Sequence, residues 1–378
     1  MKRIIVIAFH NMKRLLFALA IVSLWLPGRA GERFISGGLY YEILSEEDAT
    51  VALSAPDLND SKYLAGISAL SLSETVVHPT TEKSYTLVAL DHAFQAFNGD
   101  DAQYNLDGLE SVTVPASVKT INDFYTLRGL KSVSLPEGLK SLTGFSECHP
   151  LKRLELPESL CELGMFSLRS IGIEELVIPD GVKSVPYMCI TDCKNLTKLS
   201  LTNVEWIDDH TLTGLPKLEK LTLPPSFTRN YIHSANGQYR EIWFESDGVE
   251  RDWQLHICSF VCKPSAVYCA RTTPPVIEPV GGEWNYDDYD EYYMFGGTSN
   301  LPNIKLYVPV GCKEAFSQTP YWGLMDIREY DFNAGVETVT SDTLPADGKL
   351  YDLQGRLTET TGGTPGVYVR DGRKILVR

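Results

Sequence analysis

The apolar positions of this chain repeat across its middle third. The segments 109–115 (LESVTVP), 130–136 (LKSVSLP), 151–157 (LKRLELP), 173–179 (IEELVIP), 196–202 (LTKLSLT) and 218–224 (LEKLTLP) are apolar at positions one, four and six. All but the fifth carry proline at position seven. Their starts lie 21, 21, 22, 23 and 22 residues apart, and a partial seventh copy, 239–245 (YREIWFE), follows after 21 more. A fixed period of this length marks a repeat architecture, in which each copy is one small unit stacked on its neighbours.

In an extended strand, positions four and six point to one face while three and five point to the other. Each copy therefore predicts one short strand. Parallel stacking places Val112 and Val114, Val133 and Leu135, Leu154 and Leu156, Leu176 and Ile178, Leu199 and Leu201, and Leu221 and Leu223 in a shared core. No single copy can bury that face alone, so the array folds only as a stack. Proline at position seven has no backbone donor and ends the strand at a corner. A weaker pattern follows each proline (Val118 and Ile121, Leu139 and Leu142, Leu160 and Leu163, Val182 and Val185), where the chain returns in a second short strand or helical turn. Phe124, Phe145, Phe166 and Tyr187 are expected to fill the coil interior.

The template, L-x-x-L-x-L-P-x-S/G-V/L-x-x-L/I followed by an aromatic and a small residue, resembles the BspA-like leucine-rich repeats of surface proteins of Bacteroidales. The likeness extends upstream to 38–43 (GLYYEI) and 83–94 (KSYTLVALDHAF), which look like opening strands and a first irregular coil. Downstream, 267–275 (VYCARTTPP) and 304–330 look like a closing coil and cap. A long insert lies at 278–300. The segments 350–355 (LYDLQG) and 366–378 read as two strands around a loop, the second with an Asp371-Gly372 turn, similar to an abbreviated type IX sorting domain. The alternative is a small β-appendage packed on the array. The resemblance implies an α/β-type solenoid, mostly β: a BspA-like leucine-rich repeat array with N- and C-terminal caps and a small β-tail.

At the N-terminus, Lys2, Arg3, Lys13 and Arg14 precede an apolar run from 15 to 26 (LLFALAIVSLWL), with Gly28 and Ala30 after it. This reads as a secretory signal peptide cleaved after Ala30, the run being short for a bilayer span. An uncleaved anchor is the other reading. Removing residues 1–30 takes away five basic side chains and no acidic ones, leaving 29 basic against 49 acidic and a net charge of −20. Such a charge repels nucleic acid and anionic membrane surfaces. Export permits disulfides among the eight cysteines. Cys148 and Cys193 each lie three residues before a repeat's opening leucine, a place that suits a small buried side chain, so free thiols are expected there. Cys189 with Cys193 and Cys258 with Cys262 have three intervening residues and no histidine pair to complete a zinc set, so no metal is expected.

The chain has no G-x-S-x-G, H-E-x-x-H, P-loop or G-x-G-x-x-G motif, and its histidines do not pair at ligand spacing. No catalytic residue and no cofactor are expected. The outward positions three and five form a mixed polar ladder ending in Glu241 and Trp243, which either serves contact spread over several repeats or is merely solvated. The insert segment 283–295 (EWNYDDYDEYYMF) mixes rings with carboxylates. Two readings compete for it: a binding loop, or a solubilised surface loop pinned by a few rings. The candidate binding residues are Trp243, Trp284, Tyr286, Asp287, Asp288, Tyr289 and Asp290.

The division expected is a signal peptide (1–30), an N-terminal cap and irregular coil (31–99), repeats (100–245), irregular repeats and a cap with the insert (246–330), a linker (331–348) and a β-tail (349–378). The resemblance implies a secreted or cell-surface, outer-membrane-associated protein acting in adhesion or recognition of a protein or glycan outside the cell, with no membrane span after cleavage. A glycan-binding accessory of polysaccharide uptake and a structural envelope component are the alternatives.

Overall fold

The computed structural model describes residues 31–57, 60, 62–94, 106–230, 235, 237–249, 251, 254–256, 260–278, 293–332, 336–339, 350–351, 357–358, 366–370 and 373–377. The leader, the Asp371-Gly372 turn and most of the insert lie outside them. Among the described residues no helix is long and apolar enough to cross a membrane.

The chain opens with strands Arg33–Ser36, Leu39–Ser45 and Thr50–Ser54, paired antiparallel in order. The first turn runs through Gly37 and Gly38, both at positive φ (60° and 80°), where a side chain would be strained. Thr50–Ser54 then pairs parallel with Ser84–Asp91, and the same sheet continues through Thr120–Asp123, Ser141–Gly144 and Glu162–Leu163. The N-terminal cap is thus a continuation of the second-strand face of the repeats, and it closes their apolar end with Phe34, Tyr41, Ile43 and Leu53.

The first-strand face begins with Ala69–Ser71, Ser111–Thr113 and Ser132–Ser134 in parallel register. The expected strand at 151–157 is missing: the ladder stops and resumes with Glu175–Ile178 and Lys198–Leu201. On the opposite face the ladder likewise ends at Glu162–Leu163 and restarts at Ser184–Val185. The second-strand break falls where the spacing changes from 21 to 22 residues, whereas the first-strand break begins one copy earlier, at an unchanged spacing of 21. The core nevertheless runs straight through, because Leu151, Leu154, Leu160 and Leu163 stay buried between the coils around them.

The aromatics change place in the same region. Phe94, Phe124 and Phe145 stack in the interior, with centroids 5.2 and 5.0 Å apart. Phe166 and Tyr187, expected beside them, instead turn outward and meet edge to face at 5.5 Å, Phe166 being 36% exposed. Leu168 is buried in that coil.

Each of these coils turns its corner through left-handed residues: Phe124 and Thr126, Phe145 and Glu147, Phe166 and Ser170, Met188 and Asp192, His210 and Gly214. A left-handed non-glycine residue costs free energy and persists where its surroundings fix it. Here the next coil does so. The Thr126, Glu147, Ser170 and Asp192 amides donate to the carbonyls of Ser146, Arg169, Thr191 and Thr213.

After a second break beyond Lys198–Leu201, the first-strand face resumes as a five-stranded sheet of Lys220–Leu223, Glu241–Phe244, Ala266–Cys269, Lys305–Pro309 and Asp326–Tyr330, all parallel, the last three strands lying past the copies legible in the sequence. A short helix, Lys313–Ser317, brings Phe316 against Trp322 over this end, and the Trp322 indole donates to the Pro275 carbonyl at 2.9 Å. Finally, Val336–Val339, Leu350–Tyr351, Leu357–Thr358, Gly366–Arg370 and Arg373–Val377 form a separate five-stranded sheet. Its strand Val336–Val339, parallel to Arg373–Val377, comes from the stretch read as a linker.

The cysteines follow their columns. The Cys148 thiol donates to the Phe124 carbonyl at 2.9 Å and the Cys193 thiol to the Leu168 carbonyl at 3.0 Å, both fully buried. Cys148, Cys161, Cys189, Cys193, Cys262, Cys269 and Cys312 are free thiols.

Candidate binding surface

On the strands closing the array, the outward positions are held in register by the parallel ladder: Thr222 beside Trp243, Trp243 beside Tyr268, Tyr268 beside Tyr307, and Tyr307 beside Arg328. The inward neighbours Ile242, Phe244, Val267, Cys269, Leu306 and Val308 are buried, which obliges the alternate positions to face out. Side chains on one face of adjacent strands stand near enough to touch.

The rings stack. Trp243 and Tyr268 lie with centroids 3.8 Å apart and planes 9° from parallel, and Tyr268 and Tyr307 at 4.5 Å and 9°. The Lys220 ammonium covers the far side of the indole, 4.0 Å from its centroid, and the indole N–H donates to Glu241 at 3.0 Å. Across the top, Tyr330 meets Tyr268 and Tyr307 at 5.7 and 5.8 Å, while Phe332 meets Trp243 at 6.4 Å, all near right angles. Burial in this stack, with Glu241, Tyr307 and Tyr330 nearby, pushes the Tyr268 phenol above its ordinary range. At the rim, Arg328 donates to Asp326 at 3.1 and 2.7 Å and holds that carboxyl below its usual range.

Chemically this is a strip of ring edges and phenols bounded by cations, with its ring faces taken up by one another. Ring edges carry the positive end of the aromatic quadrupole and meet carbonyls, carboxylates and other ring faces well. The rest of the first-strand face is polar apart from the exposed Val177, and is tied across rungs by Lys131 with Glu110 and Lys198 with Glu175, each at 2.5 Å. Such exposed pairs contribute little to stability.

Of the residues singled out in the sequence, Trp243 sits in this strip. Trp284, Tyr286, Asp287, Asp288, Tyr289 and Asp290 lie outside the described residues. The strip's other members, Tyr268, Tyr307, Tyr330, Phe332 and Lys220, were not singled out. A signal for two of them exists: AVYC and KLYVP place a tyrosine between apolar residues, as EIWF places its tryptophan.

Coils of near-constant length, each with one parallel strand feeding a shared aliphatic core and with caps at both ends, define a leucine-rich repeat array, here mostly β. Residues 98–144 and 124–234 match the family described as BspA type leucine rich repeat region, in six copies. No curated protein matches the chain. Among solved structures, a leucine-rich repeat protein from Bacteroides ovatus is similar at 15% identity and a TM-score of 0.45, covering 82% of each chain. One from Bacteroides capillosus is 23% identical, with a TM-score of 0.29, over 38% of this chain and 98% of that one. A leucine rich cell surface protein from Faecalibacterium prausnitzii is 14% identical, with a TM-score of 0.32, over 81% of this chain and 97% of that one.

Proposed function

We propose that this chain is an exported, surface-associated recognition protein that binds another protein, without catalysis, through the first-strand face of its closing coils. The observation that carries this reading is the in-register stack Trp243–Tyr268–Tyr307 on a mostly polar sheet face. Aromatic residues with flanking cations are the side chains that dominate protein interfaces energetically. A pyranose would need an open ring face to lie against, and here the faces are turned to neighbouring rings and to Lys220, which favours a protein over a glycan. The leader, cap, repeat, closing and tail divisions belong to the same proposal, as does a supporting role for Trp284, Tyr286, Asp287, Asp288, Tyr289 and Asp290 in the insert.

The test is quantitative binding of the purified chain to a panel of extracellular proteins and to a glycan array, in wild type and in Tyr268→Ala and Tyr307→Ala. A protein ligand is expected whose affinity falls at least about tenfold in either variant, the loss of one interfacial anchor. Binding that both variants retain, or binding to glycans alone, would sink the proposal.

A further inference from the structure

The strip of rings is already engaged by the chain's own next segment. Strand Asp326–Tyr330 is the last rung of the sheet, and just past its end Phe332 lies over the outer face against Trp243. Tyr330 stands on Tyr268 and Tyr307, and Phe332 stands on Trp243, two rungs further into the sheet. Tyr330 and Phe332 also touch each other, at 4.9 Å and 74°. Asp331 lies between them and is exposed. Three residues of pattern aromatic–acidic–aromatic thus lie across three strands, with both rings on the same side, Tyr330 in its strand and Phe332 in the turn after it; an extended segment also places alternate residues on one side.

We propose that the strip is a docking site for an extended acidic segment with aromatic residues at alternate positions, and that Tyr330-Asp331-Phe332 is its built-in, displaceable occupant. The proposal rests on the recognition reading above and names the chemistry of its partner. Geometry supplies the first argument: edge-to-face contacts onto Trp243, Tyr268 and Tyr307 already accept two rings spaced i and i+2. Charge supplies the second. Among the described residues neither Lys220 nor Lys305 makes an ion pair within 4 Å, and both stand on the row beside the rings, one at each end of the stack. The carboxylates of the same row, Glu241 and Asp326, already accept from the Trp243 indole and from Arg328. In a chain with 49 acidic against 34 basic residues, two such lysines beside one strip of rings suit a partner that brings carboxylates.

The intrachain segment competes with any partner at an effective concentration on the order of millimolar, as expected for a short tether. Partner binding is therefore held weak until the segment lifts, and the affinity of the bare strip exceeds that of the native chain.

The experiment uses the full chain and a blocked peptide copying residues 327–333 (IREYDFN). Peptide affinity is measured by fluorescence anisotropy for wild type and for a double variant, Tyr330→Ser with Phe332→Ser. The double variant is expected to bind the peptide at least tenfold more tightly than wild type. A further Trp243→Ala should abolish that gain, and a peptide with both aromatics replaced by serine should not bind. If circular dichroism shows the double variant misfolded, Phe332→Ser alone carries the comparison. Equal affinities for wild type and opened chain, or equal affinities for the two peptides, overturn the inference. Should the peptide fail while a protein ligand still depends on Tyr268, only the inference falls; should the peptide bind while no protein ligand is found, the recognition reading falls instead.

Discussion

Gly144 stands directly opposite Asp123 in the parallel pairing of their strands, and a Cβ on Gly144 would lie 2.0 Å from the Asp123 carbonyl oxygen. The obstacle is backbone, which cannot swing aside as a side chain can. Gly172 shows the same relation to His149, at 1.9 Å. At these places the coils touch main chain to main chain, and glycine sets the stacking distance. Gly144→Ala should therefore destabilise the array by roughly 2–3 kcal/mol, the cost of overpacking a closed site. Gly108→Ala, whose nearest neighbour is 4.0 Å away, should be neutral. Thermal melts of both variants decide the matter, and equal melting temperatures would show that the coils can part at little cost.

Arg271 fastens the closing coils. Its buried guanidinium donates to the carbonyls of Glu245 at 3.2 Å, Pro225 at 2.9 Å and Phe227 at 2.8 Å. Those carbonyls belong to two preceding coils, so one side chain bridges three turns of the array. Hydrogen bonds from a charged donor contribute roughly 1.5–3 kcal/mol each, and the truncated site leaves its acceptors buried. Arg271→Ala should cost about 3 kcal/mol or more in chemical denaturation, while Arg153→Ala, on an exposed position, should cost under about 0.5 kcal/mol. A cost at Arg271 no larger than at Arg153 would remove the guanidinium from the list of fastenings.

The repeat array was legible because positions one, four and six recur at nearly one length, and Val112, Leu176, Leu221 and Ile242 lie buried where that pattern puts them. The ladder break at 151–157 was not, since that copy looks like the one at 130–136 and stands at the same 21-residue spacing. Phe166 stands three residues after Leu163 as Phe145 does after Leu142, so nothing local marks its turn outward. The ring strip was half legible. Trp243 follows the template, but Tyr268 lies 25 residues further on, off the 21- to 23-residue period, and the insert at 278–300 separates Tyr268 from Tyr307, so no period marks either. Tyr330 ends a strand that lies beyond any legible copy, and Phe332 reaches the strip from the turn after it, which no local pattern encodes. Strand Val336–Val339 finds its partner in Arg373–Val377, far along the sequence, and a four-residue strand of that kind carries little periodicity of its own.

Thiol reactivity should divide the cysteines by depth. Burial pushes the thiols of Cys148, Cys189 and Cys193 up to about 12, so at pH 8 almost none of each is thiolate and none is reachable. Cys161 is exposed. With a small alkylating reagent at pH 8, mass mapping should show Cys161 modified while those three stay intact, all four reacting once denaturant is added. Modification of Cys148 or Cys193 in the native protein at a rate near that of Cys161 would mean that the interior column opens readily.

Asp123 makes stability depend on pH in an unusual direction. Its carboxyl is fully buried and accepts from the amides of Ala93 at 2.8 Å, Phe94 at 2.7 Å and Phe124 at 2.8 Å. Those three bonds favour the carboxylate, yet loss of hydration outweighs them and pushes the group up to about 7 from 3.8. In the native state it thus holds a proton that the unfolded chain has already released between these two values. Stability from this group is present in full below pH 3.8 and is lost as the pH rises through about 7. Asp123→Asn keeps a neutral side chain at every pH, so it does not share this loss. The destabilisation caused by Asp123→Asn, measured by urea unfolding, should therefore be larger at pH 5 than at pH 8. A difference between wild type and variant that stays constant over that range, or grows toward alkaline pH, would show that the three amides hold the carboxylate ionised throughout.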